Sequence, residues 1–148
     1  MDVINSFSGE YRFLSNFYPS PMVVDDLQFP AVEHAYVYYK TVDPEWQNLV
    51  YEGIQQVGYS AGEIKKIGRK VPLREDWNQV RVPIMRKLVS SKFEQNLDLM
   101  EKLQATKPKR LIEGNRWGDT FWGECPLGTG KNMLGKILME VRDGITNF

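Results

Sequence analysis

At 148 residues and 17.2 kDa, with 42% hydrophobic and 26% charged side chains, the chain is long enough to bury a core without disulfides and too apolar for a disordered polymer. Nineteen basic and nineteen acidic residues cancel, so general electrostatic adhesion to nucleic acid has no support; one cysteine, Cys125, and one histidine, His34, exclude an internal disulfide and paired-histidine metal motifs. No basic stretch followed by an apolar run opens the chain, and no apolar run approaches the roughly 20 residues of a spanning helix. The expectation is a single cytoplasmic domain over residues 1–148, with no membrane partner.

The opening third reads as short strands. Residues 3–7, 22–24 and 27–29 are apolar runs, and Asp25-Asp26 between the last two predicts a hairpin turn. Pro30 suits the first turn of a helix reaching about Thr41. Asp43-Pro44 opens a second helix, with Trp46, Leu49, Val50, Ile54 and Val57 at helical spacing. Ser60 and Glu63 form a capping box for a third, which Gly68 can end. Asp76 opens a longer helix striped by Trp77, Val80, Ile84 and Leu88, with a kink or a late start expected at Pro83. Phe93, Leu97, Met100 and Leu103 mark the next stripe, and a last helix is expected from about Lys131 to Asp143. The pattern predicts an α+β fold, mainly helical, with a small N-terminal sheet.

Charge is unevenly spread. Residues 1–62 carry two basic side chains against eight acidic, whereas residues 63–116 carry fourteen against seven. Such a block suits phosphates, although solvated helix faces produce the same pattern.

Four segments hold polar and aromatic residues beyond what a plain core needs. In Tyr11-Arg12-Phe13-Leu14-Ser15-Asn16-Phe17-Tyr18, Arg12, Ser15 and Asn16 can hold phosphate or ribose hydroxyls, and Phe17 can support a base. In Val32-Glu33-His34-Ala35-Tyr36-Val37-Tyr38-Tyr39-Lys40, Glu33 and Lys40 share a helix face about 10 Å apart along the axis, from a rise of about 1.5 Å per residue. That separation suits two groups touching one extended substrate; His34, about 100° away round the helix, reads as structural. Arg69, Lys70 and Arg74 focus the basic block beside Trp77, which serves equally as stacking plate or core plug. Lys107, Lys109 and Arg110 form a second cluster, read as solvated. The last segment, residues 113–123, sets Asp119 among Trp117, Phe121 and Trp122. Gly128-Thr129-Gly130-Lys131-Asn132 follows, where backbone donors can meet an anion, but its spacing lacks the glycine and Ser/Thr that a P-loop requires.

Taken in order, the pieces Phe13-Leu14-Ser15-Asn16-Phe17-Tyr18-Pro19, Val32-Glu33-His34-Ala35-Tyr36 with Lys40, Gly68-Arg69, Leu73-Arg74-x-Asp76-Trp77, Lys92-Phe93-x-Gln95-Asn96, Asp119-x-Phe121-Trp122-Gly123 and Gly130-Lys131-Asn132-x-Leu134-Gly135 resemble the NADAR family, also called YbiA-like. Val37 departs from the pattern, standing where the family usually has glutamine. The resemblance implies a mixed α+β fold and N-glycosidase activity on phosphorylated or nucleotide-linked ribosides. Those are ribosylamino-pyrimidine phosphates of early riboflavin synthesis, or ADP-ribose attached to guanine in nucleic acid, which would then be the substrate carrier. By position it implies Glu33, Lys40 and Asp119 as catalytic residues, with Arg12, Ser15, Asn16, Phe17, Arg69, Trp77, Trp117, Trp122 and Asn132 binding substrate. It implies no metal and no organic cofactor.

Cleaving a ribosyl C–N bond builds cationic character at C1′ and negative charge on the departing base. In that scheme Lys40 forms a Schiff base with the opened ribose, and Glu33 or Asp119 stabilises the sugar cation or moves protons. A non-catalytic ADP-ribose or nucleotide-binding module uses the same aromatics and arginines, but does not need an acid–lysine pair at the sugar.

Overall fold

The computed structural model describes residues 2–144. In chain order the elements are β1 (Val3–Ile4), a 3-10 helix (Gly9–Leu14), β2 (Met22–Val24), β3 (Leu27–Phe29), α1 (Val32–Tyr39), α2 (Pro44–Glu52) with a π-helical turn (Gly53–Val57), α3 (Ala61–Gly68), α4 (Trp77–Gln95), α5 (Leu97–Gln104), β4 (Arg110–Leu111) and α6 (Met133–Arg142). The described residues form two compact units, one of residues 16–95 and one joining residues 2–15 to residues 96–144. No helix among the described residues is long and apolar enough to cross a membrane.

The unit of residues 16–95 begins with the expected hairpin. Met22 pairs with Phe29 and Val24 with Leu27 in antiparallel register, and Asp25 and Asp26 take φ of 52° and 64°. Two left-handed residues make the turn whose twist matches paired strands. Side chains close both edges. The Gln95 amide accepts from Val23 N–H at 2.7 Å and donates to Val23 C=O at 2.9 Å. On the other edge, Tyr51 Oη accepts from Gln28 N–H and Gln55 donates to Gln28 C=O. A two-stranded ribbon is thereby saturated without further strands.

Helix α1 lies at the heart of this unit, with every residue from Val32 to Val37 buried, and it packs against α2, α3 and α4. Asp43 caps α2 by accepting from Glu45 N–H, with Pro44 at the first position. The Ser60–Glu63 capping box of α3 forms in both directions. Pro30 lies outside α1, which Ala31 precedes in extended conformation, so it does not fill the first turn expected of it. Pro83 gives α4 no late start: the helix runs 19 residues through it, and the Gln79 carbonyl forfeits its usual donor.

In the second unit, β1 pairs in parallel with β4, an unanticipated strand, through Arg110 N–H to Asp2 C=O and Ile112 N–H to Ile4 C=O. The expected strand of residues 3–7 contracts to two residues because its partner is equally short. Leu97, placed on a core stripe by spacing, is 73% exposed, while Leu99 and Leu103 are buried. Asn96 departs from helical geometry with φ −128° and ψ 84°, so helical spacing counted across it from Phe93 does not hold for Leu97. Helix α6 starts at Met133 rather than Lys131, since Asn132 is left-handed. Arg142 is buried, and its guanidinium donates to Lys109 C=O at 2.6 Å and to Thr106 Oγ1.

Candidate active site

In the unit of residues 16–95, Glu33 and Lys40 stand on α1 as spacing predicts. Glu33 is 8% exposed, and its N–H donates to Asn16 C=O at 3.1 Å, anchoring the first turn of α1 to the segment before the hairpin. Lys40 closes the helix. Its N–H donates to Val37 C=O and its C=O accepts from Arg74 N–H at 2.9 Å, so its backbone is fixed on both sides. The ammonium lies 5.5 Å from the Tyr36 ring centroid, and Tyr36 leans on Trp77 with centroids 5.1 Å apart. Trp77 is 8% exposed.

Burial lowers the proton affinity of Lys40 below the ordinary lysine range; Glu33 opposes that fall, while Lys65 and Arg69 add to it. Lys65 and Arg69 are four residues apart on α3 and its C-cap, hence on one face. Lys65 also places its ammonium 5.5 Å from the Phe17 ring centroid. Sequence reasoning missed Lys65; its one visible signal was the i, i+4 spacing from Arg69.

Gly68 brings α1 and α3 together. A Cβ there would stand 2.8 Å from Val37 Cγ2 and 3.6 Å from Lys40 Nζ. Gly68 is the last residue of α3, as the sequence suggested, and its missing side chain also serves this close approach. Val37, fully buried against it, is a packing residue.

His34 is structural, as read. Its Nε2 bonds Tyr59 C=O at 2.7 Å, which fixes the proton on Nε2, and burial holds the ring's proton affinity below the usual histidine range. Asn16 donates to Met85 Sδ at 3.7 Å, and Phe17 is exposed.

The other unit holds Arg12, exposed in the 3-10 helix, and Ser15 at that helix's end. It also holds Asp119, Trp117, Trp122 and Asn132. Asp119 Oδ1 accepts from Phe121 N–H at 3.1 Å and Trp122 N–H at 2.9 Å, a tight turn built on the carboxylate. Phe121 and Trp122 meet edge to face, 4.8 Å between centroids. Trp117 is 66% exposed.

Asn132 is 1% exposed, with Oδ1 accepting from Glu113 N–H and Nδ2 donating to Leu111 C=O, so its side chain ties α6 to β4. The backbone donors entering α6 are largely engaged within the chain. The N–H groups of Lys131, Asn132, Met133 and Leu134 are taken by the carbonyls of Thr120, Gly123, Phe121 and Trp122 at 2.7–3.2 Å. Among the described residues no three His, Cys, Asp or Glu side chains cluster as a metal site would need.

The sequence profile of the NADAR domain matches residues 5–146. The chain is 37% identical over 140 residues to the N-glycosidase YbiA of Escherichia coli K12, covering 93% of this chain and 84% of that one. It is 37% identical over 135 residues to a riboflavin biosynthesis protein of Vibrio vulnificus, covering 90% of this chain but 35% of that longer protein. The solution NMR structure of E. coli YbiA superposes with a TM-score of 0.84 at 35% identity, over 97% of this chain and 84% of that one. The chain belongs to the NADAR domain family.

Proposed function

We propose that this hydrolase of N-glycosyl bonds cleaves the ribosyl C–N bond of a phosphorylated or nucleotide-linked riboside through a Schiff base on Lys40. The observation that carries the proposal is the half-buried Lys40 amine, held below the ordinary lysine range beside Glu33 and two further cations. A lysine attacks carbon only as the neutral amine, and desolvation with like-charged neighbours shifts the balance towards that form.

The amine adds to C1′ as the C1′–N bond breaks, and the base departs with a proton; the C1′–ring oxygen bond then opens, the ring oxygen taking the proton from the new amine, to give the imine. Water hydrolyses the imine, releasing the ribose with its phosphate or nucleotide and restoring Lys40. Glu33, on the same helix, is the acid assigned to the sugar cation and proton movement. Asp119 is assigned as a second acid because its position matches the family pattern. Lys65 and Arg69 supply positive charge for a phosphate, with Arg12 as a further anchor.

Two substrates fit: a ribosylamino-pyrimidine phosphate, in keeping with the relative named for riboflavin biosynthesis, and ADP-ribose on guanine of a nucleic acid. The test incubates the protein with each, separates released base and sugar by chromatography, and adds borohydride during turnover. A sugar mass fixed on Lys40, together with loss of turnover in a folded Lys40→Ala, is expected. No adduct and a normal rate in Lys40→Ala would leave the nucleotide-binding module as the better reading.

A further inference from the structure

We propose that Asn115 is a positioning residue for Asp119, holding the carboxylate where it can act; this rests on the assignment of Asp119 as an acid of the reaction. Asn115 sits in a glycine-rich loop whose composition suggests only a turn former, yet it is 5% exposed. Its Oδ1 accepts from Asp119 N–H at 3.0 Å, and its Nδ2 donates to Asp119 C=O at 2.8 Å. One side-chain amide therefore grips both backbone groups of residue 119, as a neighbouring strand would.

The amide cannot flip. Nδ2 also donates to Glu113 Oε2 at 2.9 Å, so both donors face acceptors and the oxygen faces a donor. Gly123 leaves the room: a Cβ there would collide with Glu113 C=O and stand 2.7 Å from Asn115 Nδ2.

The consequence lies in the carboxylate. With the backbone of residue 119 clamped, Oδ1 takes the Phe121 and Trp122 N–H groups. Oδ2 makes no hydrogen bond among the described residues, so one oxygen is fixed and the other is available. A general acid or base needs a fixed direction together with an uncommitted oxygen. Without Asn115, the segment through Asp119 loses its grip at both backbone groups, and Oδ2 loses its direction while the residue itself remains.

The experiment compares wild type, Asn115→Ala, Asp119→Asn and the double variant. Single-turnover rates are measured on the ribosylamino-pyrimidine phosphate and on guanine-ADP-ribosylated DNA, and amide hydrogen exchange is followed at residues 119, 121 and 122. Asn115→Ala is expected to slow the chemical step about tenfold, to change KM less than twofold, and to lower protection of those three amides with α6 unaffected. In the double variant no loss beyond that of Asp119→Asn is expected, because Asn115 acts only through Asp119. Unchanged protection, or losses that multiply in the double variant, would overturn the inference. A normal rate in Asp119→Asn would instead remove the catalytic assignment of Asp119.

Discussion

Replacing Lys92 by methionine should stabilise the protein, and the gain should depend on pH. Lys92 is 1% exposed in α4, with its ammonium 5.2 Å from the Phe93 ring centroid. Burial brings the amine from its ordinary 10.5 down to about 7. At about 1.4 kcal/mol per tenfold change in proton affinity, that fall amounts to about 5 kcal/mol. Above pH 10.5 the amine is neutral folded or unfolded, and no charge is buried. As pH falls from 10.5 to 7, only the unfolded chain binds the proton, so folding loses stability. Below about pH 7 the folded protein carries the buried charge as well, and the full cost is in place. Methionine keeps the apolar stem and removes the charge. Lys92→Met should therefore gain a few kcal/mol at neutral pH, or about 10 °C in Tm at roughly 2–4 °C per kcal/mol for a chain of this size. Urea denaturation of both proteins from pH 6 to 10 measures it: the gain should be large at pH 7 and should shrink towards pH 10. A variant less stable than wild type at pH 7, or a gain that does not vary with pH, would refute the reasoning.

Three further outcomes are expected. Lys65→Met removes a positive neighbour of Lys40, so the amine should hold its proton more tightly and the rising limb of the kcat/KM profile should move to higher pH; an unmoved limb would remove Lys65 from the site. Gly68→Ala pushes a methyl to 2.8 Å from the fully buried Val37. Overpacking of about 1–3 kcal/mol outweighs the roughly 1 kcal/mol that alanine gains in a helix. Thermal unfolding should show a net loss of up to about 2 kcal/mol, and a more stable variant would contradict the close contact. Asp26→Gly should stabilise the hairpin slightly, by about 0.5 kcal/mol, because glycine carries no strain in the left-handed region. Asp25 is the poorer choice: its carboxylate accepts from Tyr39 Oη and pairs with Lys87 at 3.0 Å, so a denaturation series at Asp25 should show a loss instead.

What could be read from the sequence is what is local. The Ser60–Glu63 capping box, the Asp43-Pro44 start and the Asp25-Asp26 turn each lie within four residues, and each forms. The spacing that sets Glu33 and Lys40 on one face is local too. Features depending on distant partners were not legible. β4 exists because Val3 and Ile4 meet Arg110 and Leu111, more than 100 residues on. Gly68 could be read as the end of α3, but not its close approach to the Val37 side chain of another helix. Nothing local in the sequence shows that the Asn132 amide reaches Glu113 N–H and Leu111 C=O, or that the Asn115 amide reaches both backbone groups of Asp119.

The charge asymmetry resolves in the same way. The basic excess of residues 63–116 suggested a phosphate surface, and the structure spends much of it elsewhere. Arg74 pairs with Asp76 at 2.6 Å, Lys87 with Asp25 at 3.0 Å and Arg110 with Glu124 at 3.6 Å, while Lys92 is buried. Exposed pairs of this kind contribute about 0–1 kcal/mol each, so they solubilise more than they stabilise. Lys65 and Arg69 are spent differently, on the field at Lys40. Two cations placed to disfavour a third charge are a poor arrangement for stability. They suit a lysine that must be neutral before it meets an anionic substrate, whose phosphate would then offset the repulsion they impose.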